Sequence, residues 1–236
     1  MSARWTAFVA LLLAGCASSG PPPKPPGLPP TPKTVTLKNP GGDAADPEQA
    51  ALKRLLEEPW GFKRDRWKTM RVPLADWKHW RRVRLWGHPM RASYRYGDEA
   101  YAVETVWYQP AEGPDDPDAC MARFLAYARP ITESFDVRLG PATPSRTTQQ
   151  VGGESRPMLV HTFDGSIESL LGGDEYVAAL AAYQSWPGTC LVYAFAVRAD
   201  NHRDLAVQVR DRWVSDGAKR LLWEKKVTEA PPFDAR

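Results

Sequence analysis

Three cysteines in 236 residues are too few for a disulfide-dense scaffold, and four scattered histidines add little from which to build a metal cage. No apolar run approaches the roughly 20 residues of a spanning helix, which excludes a polytopic membrane protein. No aromatic residue occurs between Phe8 and Trp60, so nothing in that stretch can seed a core. The patterns HExxH, CxxC, GxGxxG and GxSxG are all absent, so no familiar zinc-hydrolase, redox, dinucleotide or esterase motif is available. What remains is ordinary globular stock: 43% hydrophobic, 25% charged and 11% aromatic residues, in a length that suits one domain and would cramp two.

The N-terminus has the build of an export signal. Met1 to Arg4 carries positive charge and no acid, and Trp5 to Ala14 is an apolar run too short to span a bilayer. It ends in Leu13-Ala14-Gly15-Cys16, which resembles the lipobox of bacterial lipoproteins. The resemblance implies that the Cys16 thiol receives a diacylglycerol, that cleavage follows Gly15, and that the new amine takes an acyl chain such as palmitate. The alternative is a cleaved secretory signal with a chance cysteine. Two or more acyl chains hold a membrane stably where one does not. Ala17 follows the cysteine in place of aspartate, and the common sorting pattern then points to the outer membrane, on its periplasmic or cell-surface face.

Residues 16–45 read as the lipidated cysteine and a spacer. Residues 17–45 hold nine prolines and four glycines. Proline fixes φ and removes a donor, so Pro21 to Pro32 favours a polyproline II rod, at about 3.1 Å per residue roughly 37 Å long. A proline-rich ligand for a partner domain is the competing use of the same segment. Lys24, Lys33 and Lys38 precede the first acid, Asp43, and suit weak attraction to anionic headgroups.

Residues 46–226 are expected to fold as one α+β domain, with residues 227–236 a tail. Asp46-Pro47-Glu48 is a helix start, and Ala51, Leu52, Leu55 and Leu56 form its apolar stripe up to Pro59. Trp80 to Trp86, Ala92 to Tyr96 and Tyr101 to Tyr108 alternate as strands. A second helix runs from Asp115–Pro117 to Pro130, and Phe135 to Leu139 and Met158 to Phe163 read as strands. Tyr176 to Trp186 is ambiguous between helix and strand; strand is the choice, paired through Pro187-Gly188 with Leu191 to Val197. That last run is apolar on both faces and therefore central. Asp200 is expected to cap a third helix with Gly217 as its terminator, and Leu221 to Trp223 adds a short strand. A mainly antiparallel sheet with about three packed helices satisfies this order. It is loosely similar to small α+β domains of the PsbP/Mog1/DcrB type, a likeness that covers element order from about Trp80 onward and carries no activity.

Export and lipidation of Cys16 leave Cys120 and Cys190 as an even pair in an oxidising compartment, and a disulfide between them is expected. Closing about seventy residues of chain stabilises a fold by roughly 4 kcal/mol on the chain-entropy model. Two free thiols, one of them nucleophilic, are the alternative.

The conspicuous chemistry is basic and aromatic. Residues 60–91 hold ten Lys/Arg, two Asp and five of the ten tryptophans, whereas the whole chain is only +3. On a strand, Trp80, Arg82, Arg84 and Trp86 share one face, where indole planes and guanidinium forks suit an anionic glycan or lipopolysaccharide phosphate. The competing account puts the tryptophans in the core and pairs the arginines with Glu99 or Glu104. Nucleic acid is not expected as a partner, nor is a cofactor, a metal site or a catalytic set. His161 and Asp164, with Ser166 beyond, lie three apart on a strand and so point to opposite faces. His79, His88 and His202 receive no role, and Glu154, Asp164 and Glu168 are only the raw material of a glycosidase acid pair. The function expected is a lipid-anchored, non-enzymatic envelope protein docking on an envelope or surface machine, with glycan binding and an atypical envelope hydrolase as alternatives.

Overall fold

A computed structural model describes residues 40, 45–65, 68–83, 90–110, 116–133, 137–151, 153–167, 174–186 and 189–224. Helix α1 (Pro47–Glu57) starts as the sequence dictates: Asp46 accepts the Gln49 N–H at 2.9 Å, and Pro47 occupies the first turn. Strands β1 (Trp60–Arg64), β2 (Met70–Ala75), β3 (Trp80–Arg82), β4 (Met90–Tyr96) and β5 (Ala102–Pro110) follow, then helix α2 (Pro117–Glu133). Strands β6 (Val137–Leu139), β7 (Thr143–Val151), β8 (Glu154–Ile167), β9 (Asp174–Trp186) and β10 (Thr189–Arg198) lead to helix α3 (Arg203–Ser215) and the short β11 (Leu222–Trp223).

Eight strands form one antiparallel sheet, in the order β3-β4-β5-β10-β9-β8-β6 with β7 also on β8, while β1-β2-β11 is a separate small sheet. The domain is α+β, and β10 is central. Both faces of the large sheet are covered. Tyr94, Tyr96, Val106, Tyr193, Phe195 and their neighbours pack beneath α1, α3 and the small sheet; Val103, Trp107, Val192 and Ala194 pack beneath α2. This two-sided burial explains why β9 carries Ala178, Ala179, Ala181 and Ala182: small side chains let helices approach closely from both sides. Tertiary packing there overrides the helical preference of alanine.

α3 is held by its aromatic underside, where Trp213 stacks on Phe195 (5.4 Å between ring centres, 9° between planes) and meets Tyr193 edge-on at 4.8 Å. The N-terminal turn of α1 is clasped to the start of α3. Glu48 accepts from Asn201, and Asp46 lies 2.6 Å from the His202 ring nitrogen.

Three expectations are corrected. Asp200 caps no helix: His202 is the N-cap residue of α3, and Asp200 instead accepts the Glu175 N–H and pairs with Arg198. α3 does end just ahead of Gly217, at Ser215 with Asp216 as its C-cap, and Gly217 opens a 3-10 turn. α2 runs through Pro130 to Glu133, giving up the one donor proline lacks. The strand beginning at Trp80 ends at Arg82. Strands β1 and β7 were not expected.

Candidate functional site

Cys120, in the first turn of α2, and Cys190, on β10, are joined in a disulfide with Cα atoms 5.4 Å apart. Both are buried in the α2 face of the core, near Trp107, Met121 and Phe124. The bond therefore ties a cover helix to the central strand.

The basic and aromatic segment folds mostly inward. Trp80 is 1% exposed, its indole N–H donating to the Ala75 carbonyl at 2.7 Å, and its ring packs on Tyr96 at 5.3 Å. It therefore offers no plane to a ligand, which corrects its assignment to a binding face. Arg82, two residues on, is exposed at the end of β3. Arg84, Trp86, His88 and Cys16 lie outside the described residues. Trp60 donates to Asp216 at 2.8 Å and carries the Arg212 guanidinium over its ring at 4.8 Å. Lys63 is half-buried and donates to the Trp80 carbonyl; burial pushes its ammonium below the ordinary range. Arg81 pairs with Asp98, and Arg64 and Arg71, directly opposite each other in the small sheet, share Glu224. Among the described residues neither Glu99 nor Glu104 pairs with an arginine of this segment. Phe62 and Trp77, from this same stretch, remain exposed.

Asp76 is a node that the sequence did not advertise. Its backbone is left-handed (φ 49°, ψ 46°), a conformation aspartate tolerates better than most residues. The buried carboxylate receives a bidentate fork from Arg54 of α1 (2.8 and 3.0 Å), the Tyr96 hydroxyl of β4 at 2.5 Å, and lies 2.8 Å from His79 Nδ1. Burial pushes this carboxyl up, but the hydrogen bonds from Arg54, Tyr96 and His79 outweigh it and hold the group below the usual carboxylate range. Burial, then the adjacent Asp76, drives the Tyr96 phenol far above its usual value. The node stitches α1, the end of β2 and β4 together.

Glu104 is the opposite case. It sits on β5 between Tyr94 of β4 and Phe195 of β10, is fully buried, and neither carboxyl oxygen has a hydrogen-bond partner. Burial drives its carboxyl well above the usual range.

The remaining sequence candidates stay apart. Asp164 turns to Arg203 (2.5 Å) and Arg210 (3.4 Å) of α3. His161, on β8, is half-buried and held below its ordinary value by burial, with the charges of Asp118 and Arg146 acting in opposite directions. Glu154 pairs with Arg156, and Glu168 lies outside the described residues. Among the described residues there is no cluster of His, Cys, Asp and Glu that can hold a metal ion, and no helix long and apolar enough to cross a membrane.

No protein-family model and no curated protein matches the chain. Among solved structures it is similar to the solution structure of cyanobacterial PsbP (CyanoP) from Synechocystis sp. PCC 6803, at 10% sequence identity, covering 70% of this chain and 92% of that one, with a TM-score of 0.46. The likeness is one of α+β arrangement alone.

Proposed function

We propose that this is a lipid-anchored protein of the bacterial cell envelope, non-enzymatic, whose α+β domain docks on a partner in an envelope or surface machine. One observation carries the reading. Cys120 and Cys190 are spent on a disulfide, which supports an oxidising compartment, and the cysteine left over is the one at the end of Leu13-Ala14-Gly15-Cys16. The titratable clusters with interior positions support the non-enzymatic part, because the Asp76 node binds secondary-structure elements to one another. Ala17 supports sorting to the outer membrane, and the proline-rich spacer supports a domain held away from the lipid surface.

The test is mass spectrometry of the mature chain from its native envelope, followed by affinity capture after detergent extraction. A diacylglyceryl group on Cys16 and a stoichiometric protein partner are expected. An unmodified Cys16 thiol or an uncut leader overturns the anchoring, and an anchored protein with no stoichiometric partner overturns the docking role.

Binding of an anionic glycan is the second reading, and the exposed Arg82 favours it. With Trp80 in the core, it rests on guanidinium groups and not on an indole platform. Charge reversal of Arg82 and Arg84 together should abolish retention on an immobilised anionic glycan; unchanged retention, or none by the parent chain, removes it.

A further inference from the structure

Among the described residues Glu104 is a fully buried carboxyl without a hydrogen-bond partner. Beside it lies a cavity of about 10 Å³, walled by Leu55 of α1, Trp60 of β1, Ala75 of β2, Trp80 of β3, Phe195 of β10 and Val209 of α3. That volume is near the lower limit for one water molecule, and the walls supply no charge. Among the described residues Asp76 and Asp65 are buried carboxylates of the opposite kind: Asp76 accepts two hydrogen bonds from Arg54 and one from Tyr96, and Asp65 accepts two backbone N–H groups and a threonine hydroxyl. The polar group that acts on Glu104 is the Trp213 indole N–H of α3, which makes no hydrogen bond to it and is itself buried without a partner.

We propose that Glu104 is a neutral carboxylic acid in the folded protein, and that its ionisation releases α1 and α3 from the sheet. A carboxylate at this position lacks every usual compensation. The groups facing it are apolar or aromatic on α1, β1, β2, β3 and β10, and the one titratable side chain opposite is Tyr94. Burial pushes the Tyr94 phenol up to about 12, so it stays neutral, and its hydroxyl is committed to the Arg64 carbonyl at 2.9 Å. The charges of Asp65 and Arg82 act on Tyr94, whereas burial and Trp213 are the influences on Glu104 itself. An unpaired buried charge is far more costly than a buried neutral acid.

The proton balance is simple. In the unfolded chain Glu104 ionises near pH ~4.3; on folding at higher pH it takes one proton from solvent. The folded-state pKa is the raised one, so the stabilisation is complete below the unfolded value and is lost as pH rises through the folded value. Between the two, the unfolding constant should increase about tenfold per pH unit from this group alone. Past the folded value the proton leaves to water, and the cover formed by α1 and α3 must admit solvent or lift.

Infrared difference spectroscopy of the full chain at neutral pH is the test, with 13C-glutamate labelling to separate glutamic from aspartic acid. One protonated carboxyl band that shifts on labelling and disappears in Glu104→Gln is expected, together with loss of about tenfold per pH unit from the pH dependence of unfolding in that variant. A folded protein without such a band overturns the proposal, and so does a Glu104→Gln variant with the parent's pH profile. If Glu104→Gln does not fold, the labelled band in the unsubstituted chain decides alone.

Discussion

Removal of the Cys120–Cys190 bond is the sharpest perturbation of this fold. The two residues are 70 apart in sequence, so the cross-link restricts a long loop in the unfolded chain. The chain-entropy relation gives about 4 kcal/mol at 25 °C for such a loop, equivalent to roughly a thousandfold in the unfolding constant. With a urea m-value of about 2 kcal/mol/M, the midpoint should fall by about 2 M. The native-state geometry adds little to the loss, because the small side chains leave α2 seated on Trp107 and Val192 through Phe124, Met121 and Ala128. The assay is urea unfolding of the oxidised chain, the reduced chain and a Cys120→Ala/Cys190→Ala variant, followed by tryptophan fluorescence and circular dichroism. The reduced and substituted chains should agree within about 1 kcal/mol, since both lose the same constraint. A loss below about 1 kcal/mol in both would refute the reasoning and mean that the unfolded chain is already compact around this pair.

Other perturbations discriminate among the remaining contacts. Asp76→Asn should cost about 2 kcal/mol, less than a fully buried pair because Arg54 is over a third exposed, and should flatten the acid limb of stability. The sign follows from a lowered native pKa: Asp76 stabilises above the ordinary carboxylate value and the contribution disappears as pH falls below about 4; an unchanged acid limb in a urea series would contradict this. Gly61→Ala places a Cβ 2.0 Å from Trp77 Cδ1, so the indole must swing away at a cost of about 1–3 kcal/mol, visible as an altered tryptophan emission; an unaltered spectrum and midpoint would speak against the packing. Trp213→Ala removes the stack on Phe195 and should cost about 3–5 kcal/mol by thermal or urea melting, whereas Arg82→Ala should stay within about 0.5 kcal/mol.

Local chemistry was legible wherever it acts over a few residues. Asp46-Pro47-Glu48 announced α1, the apolar run Leu191 to Val197 announced the central strand, and Tyr176 to Trp186 was read as strand despite its alanines. β7 went unread because Thr143–Val151 is almost wholly polar: it is an outer strand with most side chains in water, so no apolar period marks it. Asp200 misled because its spacing suits a cap, yet Arg198 and the Glu175 N–H compete for the same carboxylate and win. Trp80 misled for a related reason. Alternation tells which residues share a face, but the arrival of α1, α3 and a second sheet decides which face is dry. The Asp76 node joins residues 54, 76, 79 and 96, and Glu104 meets α3 more than a hundred positions away; neither leaves a mark in local sequence.

The joint between Asp46 and His202, with Glu48 on Asn201 beside it, sits where residues upstream of the domain enter. A pull applied through residue 45 therefore meets these side-chain links before it reaches the apolar underside of α1. They lie at the helix's leading turn, so they have to yield nearly together instead of parting one after another. Two polar contacts thereby reinforce the leading turn of α1 against traction, and a substitution at Asn201 or His202 would change how that turn bears load.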